Sequence, residues 1–297
     1  MAPLGTLVTG VTATAVGGLA YSAGYEVRAY TLREFTVPVL PVGAKELRVL
    51  HLSDLHMTPP QRKKQQWLRD LARLEPELVV VTGDFLAHLQ AVPVVLDALE
   101  PLSRFPGVFV FGSNDYYGPK IKNPARYLFT DSGRRIHGPE LPWQELRDGL
   151  SSRGWVDLTH RRATMNLRGL PIEFRGVDDP HLLLDDYSTV AGPVEAGHFG
   201  IGVTHAPYLR VLDAMNADGL PLILAGHTHG GQLCLPFIGA LTTNCDLLLK
   251  QAKGVHRYRD AWMHVSAGLG TNPYTPVRFA CRPEASLLTL TPQIVYG

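Results

Sequence analysis

The sequence predicts a layered α/β fold, and three observations carry that expectation. Short apolar runs rich in Val, Ile and Leu recur in KELRVLHLSD, ELVVVTGD and VFVFGSND. Each is bounded by Gly or a polar residue, the mark of a buried strand. Between them lie segments with helical spacing: QQWLRDLARL, where Trp67, Leu68, Leu71, Ala72 and Leu74 repeat, and a shorter one around VVLDALEPL. Finally, Asp, His or Asn residues stand where each apolar run ends, so the strands deliver polar groups to one edge of a sheet.

Taken in order, the first 25 residues carry no charged side chain, and LGTLVTGVTATAVGGLAYSAGY is long enough to cross a hydrocarbon layer. The expectation for residues 1–25 is a single membrane anchor, with an export signal or a helix packed on the domain as alternatives. Arg28 and Arg33 follow this segment, and the positive-inside rule then puts the C-terminal side in the cytoplasm. Residues 26–297 are expected to form one globular domain. YEVRAYTLREFTVPVL reads as an edge strand ending at Pro41. The stretch from about 116 to 197, with scattered Pro, Gly and charge, reads as a loop-rich insertion covering the site. AWMHVSAGLG and ASLLTLTP add late strands with no obvious helix between them, so a second and more antiparallel sheet is expected. No internal repeat is visible.

Composition excludes several classes of function. The formal charge of +1 gives no bulk attraction for polyanions, and no basic groove interleaved with aromatics favours nucleic acid. The three cysteines, Cys234, Cys245 and Cys281, form no CxxC pair and argue against a disulfide framework or a thiolate zinc site.

The polar strand ends carry the chemistry. They are Asp54 and His56 in VLHLSDLHM, Asp84 in LVVVTGD, Asn114 with Asp115 in VFVFGSND, His205 in GIGVTHAP, and His227 with His229 in LILAGHTHGG. Carboxylates, imidazoles and an amide converging on one rim suit a pair of metal ions, and an Asp between two ions can bridge them, the role expected of Asp84. Asp-x-His alone is common as a capping Asp beside a surface His. GHTHGGQ is the most specific piece, because Gly226, Gly230 and Gly231 let the backbone bend tightly enough to turn both rings inward.

These motifs in this order resemble the calcineurin-like metallophosphoesterases, whose pattern runs D-x-H, G-D, G-N-H-[DE], a later His and G-H-x-H. GHTHGGQLCLPFIG and SAGLGTNPYTPVRFACRPEASLLTL are most similar to a bacterial membrane-associated phosphodiesterase branch, and the resemblance spans about Glu46 to Thr291. It implies a four-layer α/β/β/α sandwich, two mixed sheets flanked by helices, with a dinuclear metal site at the strand ends. It further implies one metal held by Asp54, His56, Asp84 and His229, and another by Asp84, His205, His227 and an amide. The donor set tolerates Mn, Fe, Co or Zn as divalent or trivalent ions. The implied activity is hydrolysis of a phosphodiester or phosphomonoester by a metal-activated water.

The third motif departs from the family. An ungapped match of Gly-Ser-Asn-Asp puts Ser113 at the amide ligand and Asn114 where the family has a catalytic His. A one-residue shift makes Asn114 the ligand, the favoured reading because an amide oxygen ligates better than a neutral hydroxyl. Tyr116, Tyr117, His137 and His181 are the candidates to replace the missing imidazole. Arg278 and Arg282 are read as substrate-binding groups, and Lys120, Lys122, Arg126, Arg134 and Arg135 as a basic cover for phosphate or a lipid-linked substrate. The rival reading is a membrane-tethered metal-binding or interaction protein whose site has degraded at Ser113 and Asn114. Against it, every other ligand position is filled.

Overall fold

The computed structural model describes residues 17–120 and 138–293. Two six-stranded sheets form its centre. The first runs in the order β1 (Thr31–Leu40), β14 (Glu284–Pro292), β2 (Leu47–Leu52), β3 (Leu78–Thr82), β4 (Gly107–Val110), β5 (Val156–Asp157). The second runs β12 (Gly254–Tyr258), β13 (Ala261–Val265), β9 (Leu222–Ala225), β8 (Phe199–Val203), β7 (Leu170–Gly176), β6 (Arg161–Leu167). Both are mixed, as expected.

Alternation along each strand distributes side chains between the layers. Leu47 and Val49 of β2, Leu78 and Val80 of β3 and Val108 and Val110 of β4 join Phe174, Ile201, Val203, Leu222 and Leu224 in a core between the sheets. The intervening residues Leu50, Leu52, Val79, Val81 and Phe109 face outward, onto Leu68, Val95, Leu99, Leu146 and Leu150 of helices Arg62–Asp70, Val92–Leu99 and Trp143–Ser151. Ile223, Met263 and Val265 cover the far face of the second sheet against helix Leu209–Ala217. The result is the α/β/β/α sandwich.

The two late strands fall in different sheets. AWMHV is β13, parallel to β9, while ASLLTLTP lies in β14 of the first sheet, antiparallel to β2 and parallel to β1. The second sheet, which holds β13, has two antiparallel pairs, β12 with β13 and β6 with β7, against the single pair β14 with β2 in the first, so it is the more antiparallel sheet expected, whereas β14 extends the first sheet instead. The segment read as a loop-rich insertion contributes β5, β6 and β7 and helix Trp143–Ser151. Its pattern was obscured because β6 is half solvated, with Arg161 and Arg162 exposed on it. Residues 121–137, which include Lys122, Arg126, Arg134, Arg135 and His137, lie outside the described residues.

The expected N-terminal membrane anchor is corrected by the structure. No helix among the described residues is long and apolar enough to cross a membrane. Residues 1–16 lie outside the described residues, and those that follow pack on the domain as short π and 3-10 turns, Tyr21–Tyr25 and Glu26–Arg28. Glu26 is buried, and its carboxylate accepts from the backbone N–H groups of Ala280 (3.1 Å) and Cys281 (2.6 Å). The Ser22 carbonyl accepts from Arg278 N, and Tyr21 meets Phe279 edge to face. Polar docking of this kind ties the segment to protein.

A polar pair interrupts the inter-sheet core. His51, on the inward row of β2, has its Nδ1 2.8 Å from Nδ1 of His264 in β13, and its Nε2 is 2.9 Å from Thr82 Oγ1. Burial drives the His51 pKa down to about 3 and that of His264 well below its ordinary value, so both stay neutral in the fold. Unfolding lets them take up protons, so stability is complete above pH 6.5 and falls as pH drops toward 3. Each contributes a slope of about 1.4 kcal/mol per pH unit. In urea titrations between pH 6 and 4, the double variant His51→Leu, His264→Leu is expected to lose stability less steeply than the wild type by roughly 2 kcal/mol per unit. Equal slopes would contradict the neutral pair.

Candidate metal centre

Parallel strands set the position of the centre. β2, β3 and β4 run parallel in one sheet and β8, β9 and β13 in the other, so their C-terminal ends open on one edge of the sandwich. Asp54 and His56 follow β2, Asp84 follows β3, Asn114 follows β4, His205 follows β8, and His227 with His229 follow β9. All seven expected residues are brought together.

The turns that carry them are unusual. Asp54, His56, Asp84, His227 and His229 have φ of 51°, 41°, 56°, 68° and 50°, the left-handed region that side chains other than Gly seldom adopt. Such strain costs of order 1–3 kcal/mol per residue and persists only where surrounding bonds impose it. Here Asp54 N donates to Gly83 O (2.9 Å), His56 N to Asp84 O (2.9 Å) and Gly270 N to Asp54 O (2.6 Å). Two glycines admit the close approach: a Cβ on Gly226 would stand 1.8 Å from Ser53 Oγ, and one on Gly112 would stand 2.4 Å from Asp84 Oδ1.

Asp54, His56, Asp84 and His229 each offer a ligand atom, and the four atoms lie within 4.8 Å of one another. Asp84 Oδ2 is 3.4 Å from His56 Nε2 and 3.6 Å from His205 Nε2, so it stands between two imidazole sets. His205 Nε2 is in turn 3.3 Å from His227 Nδ1. Three of the rings are oriented by a main-chain carbonyl on their other nitrogen. His205 Nδ1 meets Thr82 O (2.6 Å), His227 Nε2 meets Asn244 O (3.1 Å), and His229 Nδ1 meets Gly270 O (3.1 Å). That pattern fixes the tautomer and leaves a lone pair aimed inward, as metal-binding histidines require.

Electrostatics favour a cation at the same place. Burial pushes the Asp54 carboxyl up to about 6, against the pull of His205. Asp84 is also buried, yet His205, His56 and two bonds from Asn114 hold its carboxyl below the ordinary range. Burial opposes charge on His205, but Asp84, Asp179 and Asp54 outweigh it and raise its pKa to about 9. Burial lowers His56 to about 4 and holds His229 well below its ordinary value. Asp54 Oδ1, meanwhile, is buried with no hydrogen-bond partner, 3.5 Å from His229 Nε2. A bound cation satisfies that oxygen and the inward lone pairs together, so the residues fit a metal centre.

Asn114 is the residue of the third motif that meets Asp84. Its backbone N donates to Asp84 Oδ1 (2.8 Å) and its Nδ2 to Asp84 Oδ2 (2.7 Å), while Ser113 Oγ lies 3.3 Å from Asn114 Nδ2. Rotating the amide would present its oxygen at the same point. Among the proposed replacements for the missing imidazole, the Tyr116 hydroxyl donates to Asp178 (2.6 Å), whereas the His181 ring lies 4.4 Å from that of His227. Arg278 is fully buried, and its Nη2 donates to the carbonyls of Ala267 (2.7 Å) and Gly270 (2.8 Å). It therefore clamps the loop whose Gly270 carbonyl orients His229, a role different from the substrate contact read from the sequence. Arg282 is exposed.

Two supports lie behind these residues, one missed by sequence reasoning and one singled out there without a role. One is a relay from the inter-sheet pair: His51 meets Thr82 Oγ1, Thr82 Oγ1 donates to Ser53 Oγ (2.7 Å), and Ser53 Oγ donates to Asp54 Oδ2 (2.6 Å). Its signal was a histidine on the inward row of an apolar strand. The other is Asp115, whose carboxylate accepts from the N–H groups of Asp84, Phe85, Leu86 and Gly112 at 2.7–3.1 Å.

A model of the calcineurin-like phosphoesterase family matches residues 47–231. The chain belongs to this family. The match includes every expected ligand from Asp54 to His229, and with the clustered donors it makes the protein a metal-dependent phosphoester hydrolase. The phosphoesterase is 27% identical over 248 residues to the metallophosphoesterase YkoQ of Bacillus subtilis (strain 168), covering 82% of this chain and 83% of the relative. It is 24% identical over 284 residues to the UDP-2,3-diacylglucosamine pyrophosphatase LpxG of Chlamydia trachomatis (82% and 83%). It is 23% identical over 255 residues to the phosphodiesterase YaeI of Escherichia coli (strain K12) (84% and 83%).

Asp115→Asn replaces one acceptor oxygen with a donor that faces backbone N–H groups. The variant is expected to lose about 2 kcal/mol or more in urea unfolding and to bind metal more weakly, because the Asp84 turn loses its cap. Unchanged stability and metal affinity would remove Asp115 from the supporting structure.

Proposed function

We propose that this phosphoesterase holds two transition-metal ions and hydrolyses a phosphoester whose organic part is lipid-like. The observation that carries the dinuclear reading is the position of Asp84 between the His56 and His205 rings. In this reading Asp54, His56, Asp84 and His229 hold one ion, and Asp84, Asn114, His205 and His227 hold the other. When bound, such ions lower the pKa of a water and neutralise charge on phosphoryl oxygens.

The chain's own residues do the positioning. Ser53 and the backbone N–H of His227 (3.0 Å) orient one oxygen of Asp54 and leave the other open. Carbonyls of Thr82, Asn244 and Gly270 hold three rings in their ligating tautomers. Asp115 and Asn114 fix the Asp84 turn. Support for a phosphodiester or pyrophosphate linkage, and for a lipid-linked substrate, comes from the activities named for YaeI and LpxG.

Elemental analysis after loading with Mn, Fe, Co or Zn is expected to give about two ions per chain. Asp84→Asn should deplete both sites together, and His229→Ala mainly one. Asn114→Ala should lower both metal content and turnover of an aryl phosphodiester, while Ser113→Ala is mild. Full metal content and normal kcat in Asn114→Ala would contradict its role as a ligand, and absence of bound metal in the wild type would overturn the reading.

A further inference from the structure

Three segments that leave the metal centre carry exposed apolar side chains. After His229 the chain leaves as the hairpin β10 (Cys234–Leu235) and β11 (Gly239–Ala240), with Phe237 and Ile238 at its tip. Phe237 is 110% exposed and Ile238 75% exposed. The chain returns at Asn244, whose carbonyl holds His227. Both roots of this hairpin therefore rest on ligand histidines, and its tip is no more than about 18 Å of chain from Gln232. A second segment carries His181, whose ring lies 4.4 Å from that of His227, and continues into Leu183, 72% exposed, and Leu184. A third begins at Gly270, the partner of His229, and presents exposed Tyr274. Gln232 Nε2 ties the base of the hairpin to Thr275 O of that segment (3.4 Å).

Large apolar side chains in water forgo their burial energy, and clustered exposure marks a surface that meets apolar matter. These stand on three segments whose roots touch His227 or His229, so whatever covers them is within the reach of a chain attached to a phosphoester held at the centre. A second protein copy seated there would obstruct the centre that its own contacts build. A hydrocarbon chain attached to the phosphoester would not, because one molecule then fills the centre and the rim.

Resting on the phosphoester reading above, we propose that the hairpin tip, with Leu183 and Leu184, receives the hydrocarbon chain of an amphiphilic phosphoester and selects such substrates over short ones. The test uses the metal-loaded full chain and p-nitrophenyl alkyl phosphodiesters with methyl, hexyl and dodecyl groups, dispersed below micelle formation. The ratio of kcat/KM for the dodecyl ester to that for the methyl ester is expected to reach about ten-fold or more, the effect of removing roughly two methylenes from water. In the double variant Phe237→Ser, Ile238→Ser that ratio should fall toward one.

A flat chain-length series in the wild type, or an unchanged ratio in the variant, overturns the proposal and leaves the phosphoester reading standing. Sensitivity of the variant only when the esters are presented in phosphatidylcholine vesicles makes a lipid surface the occupant and overturns it too. So does a wild-type dimer that the variant dissociates while the series stays flat. Absence of turnover of every ester removes the phosphoester reading and the proposal together.

Discussion

Two buried carboxylates side by side govern this structure. Asp54 and Asp84 have oxygens within 4.8 Å of each other, and neither residue is more than 1% exposed. At an effective dielectric constant of about 20, two negative charges at that separation repel by roughly 3–4 kcal/mol, and each also loses its hydration. The surroundings answer that cost with positive charge and donors. His205 is drawn toward the protonated state by the same field, Asn114 and Ser53 donate to the carboxylates, and three further imidazoles close the ring. A field strong enough to raise the pKa of a buried histidine to about 9 is also one that draws in metal cations.

The sandwich exists in the form this centre requires. Right-handed parallel units place the C-terminal ends of their strands on one side, and packing two such sheets face to face brings two sets of loops together. The inter-sheet core that joins them is interrupted by the His51 and His264 pair and its continuation through Thr82 and Ser53 to Asp54. A fully buried aliphatic side chain contributes about 1.5–3 kcal/mol, so the surrounding core readily tolerates one histidine pair. In exchange, the second sheet is linked by hydrogen bonds to a carboxylate belonging to the first.

The positions of the candidate ligands were legible in the sequence because they follow strands directly, and strands are the clearest local signal. The left-handed turns were foreshadowed only at GHTHGG, where glycines flank the histidines; nothing local marked Asp54 or Asp84 as positive-φ residues, since tertiary bonds impose that conformation. The membership of β13 and β14 in different sheets was hidden because pairing between distant strands leaves no local trace. Hydropathy read residues 1–25 as a membrane anchor, whereas no described helix is long and apolar enough to span and Glu26, just after the run, is held by the backbone at Ala280 and Cys281. Arg278 misled in a similar way. A cation near a phosphate site reads as a substrate contact, yet here the side chain is fully buried and its Nη2 donates to main-chain carbonyls beneath His229.

The central claim is that Asp84 joins two cations in one centre. Electron paramagnetic resonance of the Mn(II)-loaded protein tests it directly, since manganese ions sharing a carboxylate couple their spins. The account predicts the spectrum of an exchange-coupled pair at saturating metal, converted to that of isolated ions by Asp84→Asn. A wild-type spectrum of isolated ions only, at saturating metal, would contradict it.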